Sequence, residues 1–122
     1  MRKIADQTLR KSGALMQSIS IQIQPEHTAN FDREAFLKHV RAAGRSPEID
    51  EFTEQKQHYI QFHFFTEMPK KLWADLRAAL YDNAEYTAII SPISIAVFED
   101  EDEPEQYLYL HHFDKYEKIS SL

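Results

Sequence analysis

Residues Ser18–Gln24 read Ser-Ile-Ser-Ile-Gln-Ile-Gln, a strict alternation of polar and apolar side chains. Successive side chains of a strand point to opposite faces, so Ile19, Ile21 and Ile23 share one face and the polar residues take the other. A chain with such a segment needs a sheet with one buried face, and another part of the sequence must cover that face. The pattern returns in Gln57–Phe65, where Ile60, Phe62 and Phe64 lie opposite Tyr59, Gln61, His63 and Phe65. A further strand is predicted over Ile89–Phe98, where Ile93, Ile95 and Val97 alternate with Ser94, Ala96 and Phe98. It should bend at Pro92, which has no N–H to give to a central ladder. A weaker strand, Glu48–Phe52, leads through a turn at Glu54–Lys56 into Gln57–Phe65, which predicts a hairpin. The last strand is predicted over Tyr107–Phe113.

Two stretches change period and supply the cover. Asp32 is placed as an N-cap, its carboxylate able to accept backbone N–H bonds, and Phe31 and Phe36 are spaced as a hydrophobic staple. Phe36, Leu37, Val40 and Ala43 then form a helical stripe, and Gly44 suits the residue after the helix. The second helix is predicted from Pro69 to Tyr81, with proline in the first turn, where it does least harm. Its stripe is Leu72, Trp73, Leu76, Ala79 and Leu80, and Asn83 ends it.

The order is β-α-β-β-α-β with one more C-terminal strand. It predicts an α+β domain: a ferredoxin-like, split β-α-β antiparallel sheet with two helices on one face and an extra strand paired to the fourth. The chain has 122 residues, the size of one domain. The reading divides it into a basic leader (residues 1–15), a single domain (16–113) and a polar tail (114–122). Eight Phe, six Tyr and 43% hydrophobic residues are ample for a core without staples.

Much chemistry is excluded by what is missing. With no cysteine there is no disulfide, thiolate metal site or thiol nucleophile, which suits a reducing compartment. Two glycines, Gly13 and Gly44, cannot build a phosphate-cradling loop. His58 and His63 are five apart in one strand and diverge, as do the adjacent His111 and His112, so neither pair chelates a metal. His27 falls in a loop and His39 on a helix surface. No serine stands in a nucleophile-elbow motif or visibly beside a base. The expectation is therefore no enzyme, no cofactor and no metal. The apolar stretch at Ala88–Phe98 is far short of the roughly 20 residues that span a bilayer. The basic leader lacks a secretory apolar stretch, and a cytoplasmic, non-membrane protein is expected.

Charge supplies the positive signal. Of 14 Lys and Arg, four precede Met16, whereas 19 of the 20 acids follow it. Such a body repels nucleic-acid phosphates and favours a basic protein partner or a cation. The acids cluster in the predicted connection Glu99–Glu105, where Glu99, Asp100, Glu101, Asp102, Glu103 and Glu105 flank a single proline, with Tyr107 and Tyr109 following. A second cluster, Glu48, Asp50 and Glu51, lies on the other hairpin. These eleven residues are the candidate partner-binding set, aromatics as anchors and acids for steering. No calcium-loop motif accompanies them.

The function expected is an acidic protein-binding module, an inhibitor or immunity-type protein that covers the positive surface of a basic partner such as a nuclease toxin. The alternative is a ferredoxin-like small-molecule-binding regulatory domain or a dimeric α/β-barrel enzyme with His63 or His111 as base. Either a monomer or a dimer fits the sequence.

Overall fold

The computed structural model describes residues 17–122, so the expected leader over residues 1–15 lies outside the described residues. Five strands form the sheet: β1 (Gln17–Ile23), β2 (Glu48–Glu54), β3 (Gln57–Thr66), β4 (Ser94–Asp100) and β5 (Glu103–His112). The helices are α1 (Arg33–Ala42), α2 (Pro69–Leu76) and the single turn α3 (Thr87–Ile90), and Pro25–Asn30 adds a short 3-10 helix after β1. The fold is α+β, with one fully antiparallel sheet in the order β2-β3-β1-β4-β5.

β1 is the central strand, and its alternation decides which face is buried. Ile19, Ile21 and Ile23 are each 0% exposed. Ile21 stands opposite Phe62 of β3 on one side and Ala96 of β4 on the other. Directly opposed residues share a face, so register carries the core across the sheet. The buried sides of both long helices join the same cluster: Phe36, Leu37 and Val40 from α1, Leu72, Trp73 and Leu76 from α2. Phe36 stacks on Phe62 with ring centroids 4.1 Å apart, and Phe31 tilts against both at 5.9 and 6.0 Å.

The helix ends follow local chemistry. Asp32 caps α1 by accepting the Ala35 N–H at 3.1 Å. At the other end Gly44 takes φ +78°, and the Gly44 and Arg45 N–H groups donate to the Arg41 and Val40 carbonyls, both at 2.9 Å. That pair of bonds closes the helix in a left-handed cap suited to glycine. α2 runs on through one wider turn, Arg77–Tyr81, in which the Asp82 N–H reaches back to Arg77 O at 2.7 Å. The turn keeps Leu80 in the core at 0% exposed.

Two expectations need correction. The segment predicted as a strand from Ile89 does not become one until Ser94. Thr87–Ile90 is a helical turn and Ser91–Ile93 a 3-10 turn with Pro92 in its opening positions. Proline lacks the ladder donor and its φ suits such a turn, so the apolar run closes the end of the core by burying Ile90 at 0% while Ile89 stays 57% exposed. Ser94 is fully buried there, its Oγ donating to Ile90 O at 2.6 Å and hydrogen-bonded to the Tyr81 hydroxyl at 2.8 Å. The second correction concerns Glu99–Glu105, expected as a connection. β4 and β5 continue through it, and only Glu101 and Asp102 form the turn. The turn is pinned by the Asp102 N–H donating to Asp100 Oδ1 at 2.9 Å. Residues 114–122 return towards β5, where the Ser120 N–H donates to Tyr109 O at 2.7 Å and Leu122 packs against the core.

The β2–β3 turn gives a direct test of local strain. Gln55 and Lys56 both sit in the left-handed region, at φ 50° and 67°. A two-residue hairpin turn of this kind favours Asn-Gly, because side chains other than Asn and Asp resist φ > 0. The double substitution Gln55→Asn with Lys56→Gly is expected to raise stability by about 1 kcal/mol, raising the melting temperature by roughly 4 °C. An unchanged or lowered melting temperature contradicts this account of the turn.

Candidate functional site

The face of the sheet away from the helices holds the second half of every alternating strand. Register lays it out in rows. Asp50, Gln61, Gln22, Ile95 and His112 form one; Glu48, His63, Ser20, Val97 and Tyr109 the next; Phe65, Ser18, Glu99 and Tyr107 a third. A cavity of about 240 Å³ opens over β1, β4 and β5, with Ser20, Gln22 and Gln61 below and Ile95, Val97, Glu99, Tyr107 and Tyr109 around it.

β4 places its bulk towards this cavity. Ser94 and Ala96 face the core at 0% exposed, whereas the larger Ile95 and Val97 face the other side, where both are half-buried. A bulge between Ala96 and Val97 lets Leu110 reach the core at 4% exposed while Tyr109 remains opposite Val97. The Tyr107 and Tyr109 rings meet edge-on with centroids 5.5 Å apart, and Tyr109 meets His112 in the same way at 5.2 Å. Partial burial and the neighbouring Tyr107 hold the Tyr109 hydroxyl above its ordinary pKa.

The floor is polar. Gln61 is only 9% exposed, and its Nε2 donates to Gln22 Oε1 at 2.6 Å. Gln61 Oε1 is buried without a hydrogen-bond partner among the described residues. Such an acceptor carries a desolvation cost until something donates to it. Beside it, Ser20 Oγ and His63 Nδ1 are 2.7 Å apart, and His63 Nε2 lies 4.0 Å from Asp50 Oδ2. Burial lowers the His63 pKa, and the Asp50 charge opposes that only in part.

Serine, histidine and aspartate in line suggest nucleophilic chemistry, and reading residues along the chain missed the trio because cross-strand register creates it. The geometry does not complete a triad. Ser20 is 3% exposed, and β1 is paired along both sides, which commits its amides to the ladder rather than to an oxyanion. The distance from Nε2 to Asp50 exceeds a hydrogen bond. What the Ser20–His63 pair does is satisfy two buried polar groups beside the cavity.

The candidate binding residues divide. Glu99, Tyr107 and Tyr109 meet at the cavity, and Glu48 and Asp50 share its face from the far edge. Glu51 points to the other face, where Arg33 and His58 bind it and Arg33 above all lowers its pKa. Asp100 also faces away, accepting from Gln17 Nε2 at 3.1 Å as well as from the turn. Glu101 is half-buried, Asp102 and Glu103 are exposed at the hairpin tip, and the Glu105 side chain lies outside the described residues. The two hairpin tips occupy opposite ends and opposite edges of the sheet, so they do not merge. Ser20, Gln22, Gln61, Ile95 and Val97 complete the site without having been among the candidates. Their signal in the sequence was the second face of each alternating strand.

The histidines diverge across their strands. His58 pairs with Glu51 on the helix side while His63 faces the opposite side. His111 lies 4.2 Å from the Tyr81 ring, with its Nε2 2.8 Å from Ser91 O, while His112 meets Tyr109. His39, expected at the surface, is half-buried with its ring 4.3 Å from Tyr86. Among the described residues no three His, Asp or Glu converge as metal ligands, and no helix is long and apolar enough to cross a membrane. Compared with family models, curated proteins and solved structures, the chain matches none.

Burial lowers the pKa of both His63 and His111 below 6.5. The unfolded chain therefore takes up these protons first as pH falls, and the stability of burying neutral rings, complete above 6.5, is lost as pH drops through the folded-state values. The melting temperature should fall between pH 7.5 and 5, and His63→Gln should flatten that slope. An equal slope in the variant would remove His63 from the account.

Proposed function

We propose that this chain is an acidic protein-binding module of the inhibitor or immunity type, which neutralises a basic partner by covering its positive surface with the sheet face turned away from the helices and the β4–β5 hairpin. One observation carries the reading: the five strands contain eight acidic residues and no Lys or Arg. The Lys and Arg of the described residues lie instead on helices, turns and the tail, where Arg33, Arg45, Lys71 and Arg77 already pair with acids. The domain is therefore polarised, with a mixed-charge helix layer behind an acidic sheet. Steering by such a field raises encounter with a basic surface, and Tyr107, 53% exposed, offers an aromatic anchor beside it. We read the sheet, with β1 between β3 and β4, as the ferredoxin-like split β-α-β arrangement extended by β5.

The test is a 1:1 complex with a basic protein recovered from source cells, whose association rate falls steeply with ionic strength. The half-buried apolar pair Ile95 and Val97 favours one competing reading, two copies packing face to face as in a dimeric α/β barrel. A monomer in sedimentation supports the binding module; a dimer closed through this face overturns it.

A further inference from the structure

We infer that the outer edge of β5 is a strand-addition site, where an extended segment of the basic partner bonds to the backbone of Tyr107 and Tyr109. The inference rests on the binding role proposed above. The sheet ends in two edges, β2 and β5. β2 carries four acids in seven residues, the kind of charge that blunts an edge, whereas residues 106–110 of β5 carry none. Within that stretch Tyr107 and Leu108 are 53% and 37% exposed.

The chain's own tail already lays an extended segment on this edge. After β5 the backbone reverses through residues 114–117, where the Tyr116 N–H donates to Asp114 Oδ1 at 2.9 Å and the Glu117 N–H to Asp114 O at 3.0 Å. The returning tail then donates the Ser120 N–H to Tyr109 O at 2.7 Å, so Tyr109 O lies on the outer edge. Residues 107–109 pair in regular register with 97–99, and alternation therefore turns the N–H and C=O of Tyr107 outward as well. Among the described residues the Ser120 bond is the only backbone bond to β5 outside its ladder with β4. One such bond is worth about ten-fold in an equilibrium, which a partner strand making several exceeds.

The side chains beside the edge define the segment. A strand added here sets alternate side chains next to Leu108 on the helix side and next to the Tyr107 ring on the other. The first place suits an apolar residue and the second a cation, which the ring face attracts. Asp102 and Glu103, both exposed at the hairpin tip, complement further cations. The segment is therefore one of alternating basic and apolar residues.

The experiment titrates the full chain with acetyl-Lys-Val-Lys-Val-Lys-Val-Lys-amide and follows backbone amides by NMR and hydrogen exchange. One control peptide is methylated on the amide nitrogens of its central three residues, which keeps the charge and removes the backbone donors. A second control replaces every lysine by glutamate. The basic probe should shift the Tyr107 and Tyr109 amides, slow their exchange by at least ~10-fold and speed exchange at Ser120 as the tail leaves. Both controls should bind at least ~10-fold more weakly. Ser120→Pro removes the tail's donor and should tighten the basic probe by roughly three-fold, whereas Tyr107→Pro removes a donor that β4 does not use and should weaken it by ~10-fold. If Tyr107→Pro fails to fold, Ser120→Pro and the methylated peptide keep the test decisive. Equal binding by the methylated peptide, or shifts confined to the face away from the helices, overturns strand addition. Equal binding by the acidic peptide overturns the basic chemistry of the segment. Shifts at Tyr107 and Tyr109 that grow with protein concentration, without peptide, overturn the partner segment in favour of a second copy. A basic protein that associates in a salt-dependent way while these two amides keep their exchange rates sinks the edge site alone. Probe binding at the edge, with no basic protein recovered from source cells, sinks the proposed binding role and leaves the edge site standing.

Discussion

Phe62→Ala is expected to cost about 4 kcal/mol of stability, a large share of what a domain of this size commonly has. Phe62 is 0% exposed on β3, beside the central strand, where its ring stacks on Phe36 at 4.1 Å and meets Phe31 at 6.0 Å. Truncation removes the transfer energy of the ring and leaves a cavity between α1 and the sheet that neither a strand held on both sides nor a capped helix can readily fill. The melting temperature should fall by at least roughly 15 °C. Phe65→Ala is the control. Phe65 lies on the same strand but half-buried on the face away from the helices, and its loss should cost less than half as much. Urea unfolding of the two variants reads the difference, and comparable losses would mean that the core does not lie on the Ile-Phe face of the alternation.

That contrast shows how far period alone carries. Alternation in β1 and β3 assigns Ile19, Ile21, Ile23, Ile60, Phe62 and Phe64 to one face, and all six are buried. Capping at Asp32 and Gly44 marks the limits of α1, because cap chemistry is local. Local reasoning failed where a tertiary demand overrode it. The run from Ile89 looks like a strand by composition, yet the end of the core needed Ile90 alone, and Pro92 turned the backbone before β4 could begin. β4 then entered with Ser94 and Ala96 inward, so hydrophobicity by itself does not name its core face.

The candidate site was less legible for a related reason. Acidity along Glu99–Glu105 is visible in any reading of the chain, but side-chain direction is not. Register sends Glu99 to the cavity and Asp100 to the other face, and it separates Glu51 from Asp50 in the same way. The floor was invisible because it joins three strands distant in sequence: Ser20 and Gln22 from β1, Gln61 from β3, with Ile95 and Val97 of β4 beside them. Polar residues on the second face of a strand are usually read as solvated. Here Gln61 is buried, with its Nε2 donating to Gln22 Oε1.

Those directions decide which charges matter for association. Joint replacement of Glu48, Asp102 and Glu103, all exposed, by lysine is expected to slow capture of the basic partner by about 100-fold at low salt, within the range that electrostatic steering supplies. The set omits Asp100 and Glu51. Asp100 pins the hairpin turn and Glu51 binds Arg33 and His58, so reversing either would disturb the fold as well as the field. Exposed charges are screened over about 10 Å at 0.1 M salt and 3 Å at 1 M, so the gap between wild type and variant should shrink to a few-fold in high salt. Dissociation should change far less than association, since rim charges guide the encounter while buried aromatics hold the complex. Tyr107→Ala should show the opposite pattern, faster release with little change in capture. Stopped-flow association at several salt concentrations separates the two. If the triple reversal leaves the rate unchanged at low salt, the acidity of this sheet does not guide a partner, and the binding role loses its main support.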